Sequence, residues 1–254
     1  MGQVILVCSG KGGTGKTGIT AALAVAFGRK NLSVLAIDGA LGFRNLDIVF
    51  GLENRVINNL IDVLEDKCEL GAALVSDRKF PSVRLLPTAW MRPVSSLDEK
   101  SFKNLIERVR SEYDVILIDC PDNEVLFKTY ISCSDRAVAV ITGDVCCVRN
   151  ADKTLRTLKS NSVRDISLIV NRFDYKKTAS GIHLSIDDMT DLLAENVIGI
   201  IPECEAMASG INRGEPVTLD GGFVGKLIDN VASRMLGEVI PLTSVKKLAR
   251  YNKN

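Results

Sequence analysis

Val4-Ile-Leu-Val-Cys-Ser-Gly-Lys-Gly-Gly-Thr-Gly-Lys-Thr17 is an apolar run of strand length followed by a glycine-rich loop, and a helix-forming stretch continues over residues 19–29. Gly10, Gly15, Lys16 and Thr17 match the spacing G-x-x-x-x-G-K-[ST]. Glycines let backbone N–H groups approach phosphate oxygens, and the helix that opens at Lys16 adds unpaired N–H groups and a positive dipole end. The stretch therefore indicates a phosphate-binding loop of a nucleotide site.

The side chains of this loop have separate expected roles. The Lys16 ammonium can reach the β- and γ-phosphates, and the Thr17 hydroxyl can ligate Mg²⁺. The loop residues that we predict to bind the nucleotide are Gly10, Lys11, Gly12, Gly13, Thr14, Gly15, Lys16, Thr17 and Gly18.

Apolar runs of strand length alternate with helical patterns along nearly the whole chain. The predicted strands are residues 3–8, 33–38, 83–86, 114–119, 136–142, 165–170 and 197–201, and the predicted helices are residues 16–29, 98–111, 148–160 and 185–195. Several strands consist almost entirely of Val, Ile and Leu, as expected when helices cover both faces of a parallel sheet. We predict a doubly wound α/β domain over residues 1–240, followed by a basic tail at residues 241–254.

Composition excludes several other classes of protein. The 32 Lys and Arg residues nearly balance the 31 Asp and Glu residues, so the net charge is +1 and nucleic acid is not expected as a ligand. The seven cysteines have no C-x-x-C spacing, which argues against a disulfide framework or a zinc site. Neither a signal peptide nor a membrane-spanning stretch is present in the sequence, so we expect a cytoplasmic protein.

A second lysine in the loop makes the pattern more specific. Lys11-Gly-Gly-Thr-Gly-Lys-Thr17 resembles the deviant Walker A loop of the ParA/MinD ATPases. Residues 42–47 and 51–55 resemble the G-x-R-N-L-D and G-x-E-N-R strings of the MinD branch, and the resemblance extends to about Leu236. It implies ATP and Mg²⁺ as ligands, a homodimer in which Lys11 reaches the partner's nucleotide, and a role in placing the division septum.

Two aspartates at strand ends are predicted to serve the magnesium ion. Asp38 ends the second predicted strand, and Asp119 ends Val115-Ile-Leu-Ile-Asp119, the Walker B pattern. A carboxylate at such a strand end, near the phosphate-binding loop, can hold the water shell of the ion. We predict Thr17, Asp38 and Asp119 as the metal site, and Lys11, Lys16 and Asp38 as the catalytic residues.

The chain departs from this family at two places that sense the γ-phosphate. Ala40 stands where the family has a second Asp that orients the attacking water, and Pro121-Asp-Asn-Glu124 is one residue shorter than the usual Pro-Ala-Gly-x-Glu. Loss of such an acid costs about 10²- to 10⁴-fold in rate. We therefore predict slow or absent hydrolysis, and the alternative function is a pseudo-ATPase that recruits a partner when ATP binds. A cargo-positioning or metal-cluster-loading relative is a third alternative.

The resemblance also implies further contacts. Asn171, Arg172, Pro202 and Glu203 occupy positions that surround the adenine in the family. The helix around residues 149–152 resembles the place where regulators similar to MinC and MinE dock, although an ordinary surface helix has the same pattern. Trp90 is expected to pack within the protein rather than to contact a partner.

The C-terminal tail has the composition of a weak membrane anchor. Val245, Leu248 and Ala249 share one helical face, whereas the charged positions are Lys246, Lys247, Arg250 and Lys253. Such a basic amphipathic segment can bind an anionic membrane surface, and two copies in a dimer would bind more strongly than one. The alternative is a frayed, solvated tail.

Overall fold

A parallel sheet forms the centre of this computed structural model, which describes residues 1–76, 78–216 and 222–251. Its strands are β1 (Gln3–Cys8), β2 (Val34–Asp38), β3 (Val83–Leu86), β4 (Val115–Asp119), β5 (Arg136–Ile141), β6 (Asp165–Phe173) and β7 (Asn196–Pro202). All strand pairs are parallel, and the order across the sheet is β3-β2-β4-β1-β5-β6-β7. The predicted doubly wound α/β class is confirmed.

Helices connect these strands. Over the described part of the chain they are α1 (Lys16–Arg29), α2 (Leu46–Val49), α3 (Leu60–Leu64), α4 (Leu70–Ala73), α5 (Glu99–Val109), α6 (Glu124–Ile131), α7 (Val145–Ser160), α8 (Tyr175–Ala179), α9 (Ile186–Leu193), α10 (Glu205–Asn212), α11 (Phe223–Met235) and α12 (Val245–Tyr251). Two short 3₁₀ helices lie at Glu53–Arg55 and Val94–Ser96.

The strand order reverses at β1, and this reversal positions the site. β1 lies between β4 and β5, and its residues 4–7 are fully buried because helices cover both faces of the sheet. The connection that follows β1 leads to β2 on one side, whereas the connection that follows β5 leads to β6 on the other side. Such a divergence opens a crevice at the carboxyl ends of the two strands. The loop between β1 and α1 lies at this crevice, and α1 behind it is buried from Gly18 to Phe27.

Several predicted element bounds differ from the structure. α7 begins at Val145 and not at residue 148, because the Asp144 carboxylate accepts a hydrogen bond from the Cys147 N–H and caps the helix one turn earlier. The predicted start of α9 is confirmed, since Ser185 and Asp188 form a reciprocal capping box.

One strand continues further than its sequence pattern indicates. β6 runs through the polar pair Asn171 and Arg172 to Phe173, which pairs with Pro202 after an irregularity in the register. Arg172 has a positive φ of 54° there. The prediction ends this strand at residue 170 because the polar pair interrupts the apolar run.

Candidate nucleotide-binding site

The first turn of α1 is open toward the crevice. Gly15 precedes the helix with a φ of 91°, and no side chain caps its N-terminus. By contrast, side chains cap α5, α7 and α9, through Asp98, Asp144 and Ser185 respectively. The unpaired N–H groups and the dipole of a 14-residue helix are therefore available to an anion.

Two positions in the loop require glycine because other parts of the chain approach their Cα atoms closely. A Cβ at Gly15 would lie 2.4 Å from Nδ2 of Asn171, and its backbone conformation is the left-handed one that side chains disfavour. A Cβ at Gly10 would lie 2.3 Å from the backbone carbonyl carbon of Asn150 in α7. The loop is therefore pressed between β6 and α7, and its shape depends on both glycines.

Within the loop, Ser9 links the Lys16 side chain to the backbone of Lys11. Its hydroxyl accepts a hydrogen bond of 2.9 Å from the Lys16 ammonium and donates one of 2.6 Å to the Lys11 carbonyl. The Thr14 hydroxyl is buried and has no hydrogen-bond partner within the described residues. A buried, unpartnered hydroxyl beside an uncapped helix fits a cradle that is completed by a polar ligand.

Thr17 and the two predicted aspartates lie together at the carboxyl ends of β2 and β4. The Thr17 hydroxyl donates a hydrogen bond of 2.7 Å to Asp119, and the Thr20 hydroxyl contacts the same carboxylate at 3.3 Å. Asp38 is the register partner of Asp119 on the neighbouring strand. The donors are all oxygens, the ligands that Mg²⁺ prefers.

These two carboxylates are almost completely buried, and their ionisation reflects it. Burial raises the pKa of Asp119 to about 7, and the neighbouring Asp38 carboxylate adds to the shift. Burial also raises the pKa of Asp38. Two like charges in one buried place are stabilised by a cation. Across residues 1–76, 78–216 and 222–251, no three His, Cys, Asp or Glu side chains form a metal site of their own.

The segment after β2 is folded around Asp38. Its two carboxylate oxygens accept hydrogen bonds from the backbone N–H groups of Ala40 (2.9 Å), Asn45 (3.0 Å) and Leu46 (3.0 Å). Arg44, with a positive φ of 46°, pairs with the buried Asp47 at 2.8 Å. The string from Arg44 to Asp47 therefore fixes this segment beside the predicted metal site.

Lys11 lies at the rim of the site, where its side chain extends toward the start of α7. Its ammonium pairs with Asp144, the cap of α7, at 3.1 Å, and its side chain is 46% exposed. The hydrogen bond to Asp144 raises the pKa of Lys11, so the side chain is a cation at neutral pH. This lysine is therefore charged and accessible from outside the chain.

The residues expected around the adenine lie on the other side of the loop. The Asn171 amide donates a hydrogen bond of 2.7 Å to the Thr14 carbonyl, and the Arg172 guanidinium donates one of 3.0 Å to the Gly13 carbonyl. Arg172 also faces Glu203 at 3.6 Å, and Pro202 ends β7 next to it. The structure thus brings the four residues together, and two of them brace the loop.

The predicted regulator surface is the first part of α7. Arg149 and Asn150 are exposed, and Asp152 pairs with Arg156 one turn later at 2.9 Å. Since α7 starts at Val145, residues 149–152 occupy its second turn rather than its start.

An exposed apolar surface beside the site was not predicted. Phe43, Trp90 and Met91 are 73%, 67% and 82% exposed, and a backbone bridge joins Gly42 to Trp90. The expectation that Trp90 packs within the protein is therefore wrong. Trp90 lies in the loop after β3, where no periodic pattern indicates which side chains face the core.

The tail is a docked helix rather than a frayed segment over residues 245–251. Leu248 in α12 is fully buried, and the Tyr251 ring lies 4.7 Å from the ring of Phe223 at the start of α11. The Lys247 ammonium lies 5.6 Å from the centre of that same ring. The predicted cation Lys253 lies outside the described residues.

No helix in the described ranges is both long enough and apolar enough to cross a lipid bilayer.

Comparison with known proteins identifies the family of this site. A family model described as the CobQ/CobB/MinD/ParA nucleotide binding domain matches residues 5–217. The septum site-determining protein MinD of Synechocystis is 37% identical over 244 residues, which are 95% of this chain and 92% of that protein. MinD of Bacillus subtilis is 34% identical over 246 residues, with coverage of 95% and 92%.

Solved structures agree with this result. The MinC:MinD complex of Aquifex aeolicus matches with a TM-score of 0.88 and 38% identity, covering 95% of this chain and 98% of that one. MinD of Pyrococcus horikoshii, solved with Mg-ADP, matches with a TM-score of 0.82 and 28% identity, covering 92% and 96%. The resemblance inferred from the sequence is confirmed.

Proposed function

Since this chain belongs to the MinD group of the CobQ/CobB/MinD/ParA nucleotide-binding family, we propose that it is an ATP-dependent dimerising switch that regulates placement of the division septum at the membrane. The observation that carries this proposal is the position of Lys11. The cradle already contains Lys16, whereas Lys11 lies charged and exposed at the rim. A cation in this place can contact the terminal phosphates of a nucleotide held by a second copy.

Mg-ATP is the proposed ligand of the cradle. The triphosphate is held by the backbone N–H groups of the loop and by Lys16. Thr17, Asp38 and Asp119 would hold the magnesium ion, which would neutralise charge on the β- and γ-phosphates. The Mg-ADP complex of the Pyrococcus relative supports this assignment. In the dimer, Lys11 exchanges its contact with Asp144 for the partner's nucleotide.

Partner binding is proposed for α7. The Aquifex relative was solved in complex with MinC. Arg149 and Asn150 present an exposed polar surface next to the loop, because α7 contacts the loop at Gly10. A regulator similar to MinC or MinE that binds there would respond to the nucleotide bound in the loop.

A pseudo-ATPase that binds ATP and a partner without turnover is the second candidate. Ala40 provides no acid to orient water. In the segment after β4, Asn123 caps α6 by accepting hydrogen bonds from the N–H groups of Val125 and Leu126 at 3.0 and 3.1 Å. Where the family has a glycine that contacts the γ-phosphate, this chain therefore has a helix cap. Measurement of phosphate release separates the two candidates.

Membrane attachment through α12 requires the helix to leave the body of the protein. The Leu248 side chain would insert into the bilayer, but it is buried against the rest of the protein while α12 is docked. The ring contact between Tyr251 and Phe223 contributes about 0.5–1.5 kcal/mol to docking. One free tail binds lipid weakly, whereas two tails in an ATP-bound dimer bind together.

Liposome sedimentation tests this proposal. With vesicles that contain phosphatidylglycerol, we expect a larger bound fraction in Mg-ATP than in Mg-ADP. Phe223→Ala should increase binding in both nucleotides by roughly 2- to 10-fold, because it weakens docking and leaves the tail sequence unchanged. Vesicles of phosphatidylcholine alone are the control. Equal sedimentation in ATP and ADP would remove the membrane role.

A further inference from the structure

Ala40 leaves the predicted hydrolytic site without its usual acid, and the structure places another carboxylate beside the phosphate-binding loop. Asp122 follows β4 in the segment that is one residue shorter than in the family. Its Oδ2 atom lies 3.6 Å from the position that a Cβ of Gly12 would occupy. The carboxylate therefore lies against the phosphate-binding loop itself.

Asp122 also lines a cavity that adjoins the phosphate-binding loop. This cavity of about 360 Å³ is bordered by Ser9 and Gly10 on one side and by Asn123 and Glu124 on the other. Ser9 accepts the hydrogen bond of Lys16, the lysine expected at the γ-phosphate. The volume is sufficient for ordered water between Asp122 and the loop.

The Asp122 carboxylate is available for such a contact. Within residues 1–76, 78–216 and 222–251 it forms no hydrogen bond or ion pair, and its side chain is exposed. The neighbouring Glu124 is different, because it pairs with Lys128 at 3.7 Å and is 77% exposed. Asn123, between them, is occupied as the cap of α6.

We propose that Asp122 orients the attacking water for ATP hydrolysis and thereby replaces the acid that is missing at position 40. The proposal rests on the proposed function, since it requires Mg-ATP in the cradle. The water oxygen forms a bond to the γ-phosphorus, and the bond from that phosphorus to the β,γ-bridging oxygen breaks with its electron pair on ADP. Asp122 accepts a hydrogen bond from the water, and the proton is finally carried by the released inorganic phosphate.

Repulsion between Asp122 and the γ-phosphate is the opposing effect. Lys16 and a bound magnesium ion would supply positive charge to the same phosphate, which would reduce the repulsion. If repulsion dominated, the neutral Asp122→Asn variant would bind an ATP analogue more tightly without loss of rate. The two effects therefore predict different results for one variant.

Single-turnover hydrolysis of Mg-ATP by the full chain tests the proposal. Asp122→Asn should lower the rate by about 10²-fold, and Glu124→Gln, the control in the same segment, should leave it unchanged. Calorimetry with the non-hydrolysable analogue AMP-PNP and Mg²⁺ should give equal affinities for the wild type and Asp122→Asn. Equal hydrolysis rates in the two proteins, including no measurable hydrolysis in either, would overturn the proposal.

A double variant separates a role in water positioning from a role in folding. In an Ala40→Asp background the family's usual acid is restored, so Asp122→Asn should then cost about threefold or less. An undiminished loss in that background would show that Asp122 does not act on the water. If AMP-PNP binds neither to the wild type nor to any of the variants, the proposed function fails instead. Failure of the proposed function is thus distinguishable from failure of the proposal for Asp122.

Discussion

Replacement of Lys16 with alanine is expected to weaken Mg-ATP binding by roughly 30- to 5,000-fold, which is a loss of about 2–5 kcal/mol. The Lys16 ammonium lies inside the cradle, where its hydrogen bond of 2.9 Å to Ser9 holds it beside the open end of α1. It is the strongest single donor for the terminal phosphates in this place. Isothermal titration calorimetry measures the change in affinity directly.

The control for Lys16→Ala removes an equal charge nearby. Lys128 lines the adjacent cavity, and its exposed ion pair with Glu124 is 3.7 Å long. Lys128→Ala should change affinity by no more than about twofold, since exposed ion pairs contribute little. Thermal unfolding without nucleotide should be similar in both variants, while Mg-ATP should raise the Tm only of the wild type and Lys128→Ala. Full affinity in Lys16→Ala would contradict the assigned cradle.

Ala40→Asp is expected to increase ATP turnover by about 10²- to 10⁴-fold, toward the lower end if Asp122 already orients water in the wild type. Ala40 is only partly buried, so a larger side chain has room. Its N–H donates to Asp38 at 2.9 Å, which holds position 40 at the edge where the nucleotide is expected. Phosphate release under saturating Mg-ATP is the measurement.

Ala40→Asn is the matched variant for this prediction. The asparagine side chain has nearly the same shape as aspartate but no negative charge, so this variant should leave turnover close to the wild-type value. If both substitutions accelerate phosphate release equally, the larger side chain in the segment after β2 is responsible, and not the carboxylate. If neither does, the argument from the missing acid is wrong.

Much of the fold could be predicted because its strands are buried on both faces. A strand such as β4 is a nearly continuous run of Val, Ile and Leu, and its predicted start and end lie within one residue of the structure. Helices α2, α3 and α4 have only four or five residues, too few for a helical period to appear. α11 was not predicted although its apolar spacing is a sufficient signal, with Val224, Leu227, Ile228 and Val231 on one face.

The site could be predicted where a local motif determines it. The spacing of the phosphate-binding loop locates Lys16 and Thr17, and the ends of neighbouring parallel strands bring Asp38 and Asp119 together. Contacts between distant segments were not predictable. The pairing of Lys11 with Asp144 spans 133 residues and depends on how α7 packs against the loop. The approach of Asp122 to Gly12 likewise depends on the path of the shortened segment.

The burial of Leu248 shows a further limit of sequence patterns. An amphipathic segment with a cationic face is typical of a membrane-surface helix, but the same pattern suits a helix that docks on its own protein. The choice between these outcomes depends on a residue in another helix, because Phe223 at the start of α11 provides the ring that Tyr251 and Lys247 contact.

Light scattering coupled to size-exclusion chromatography tests the central claim, that nucleotide draws two copies of this chain together through Lys11. With Mg²⁺ and AMP-PNP, the wild type should elute with the mass of two chains, and with Mg-ADP it should elute with the mass of one. Lys11→Ala should keep the mass of one chain in both nucleotides while calorimetry shows that it still binds AMP-PNP. A wild-type mass that does not change between the two nucleotides, or a Lys11→Ala dimer, would contradict the account.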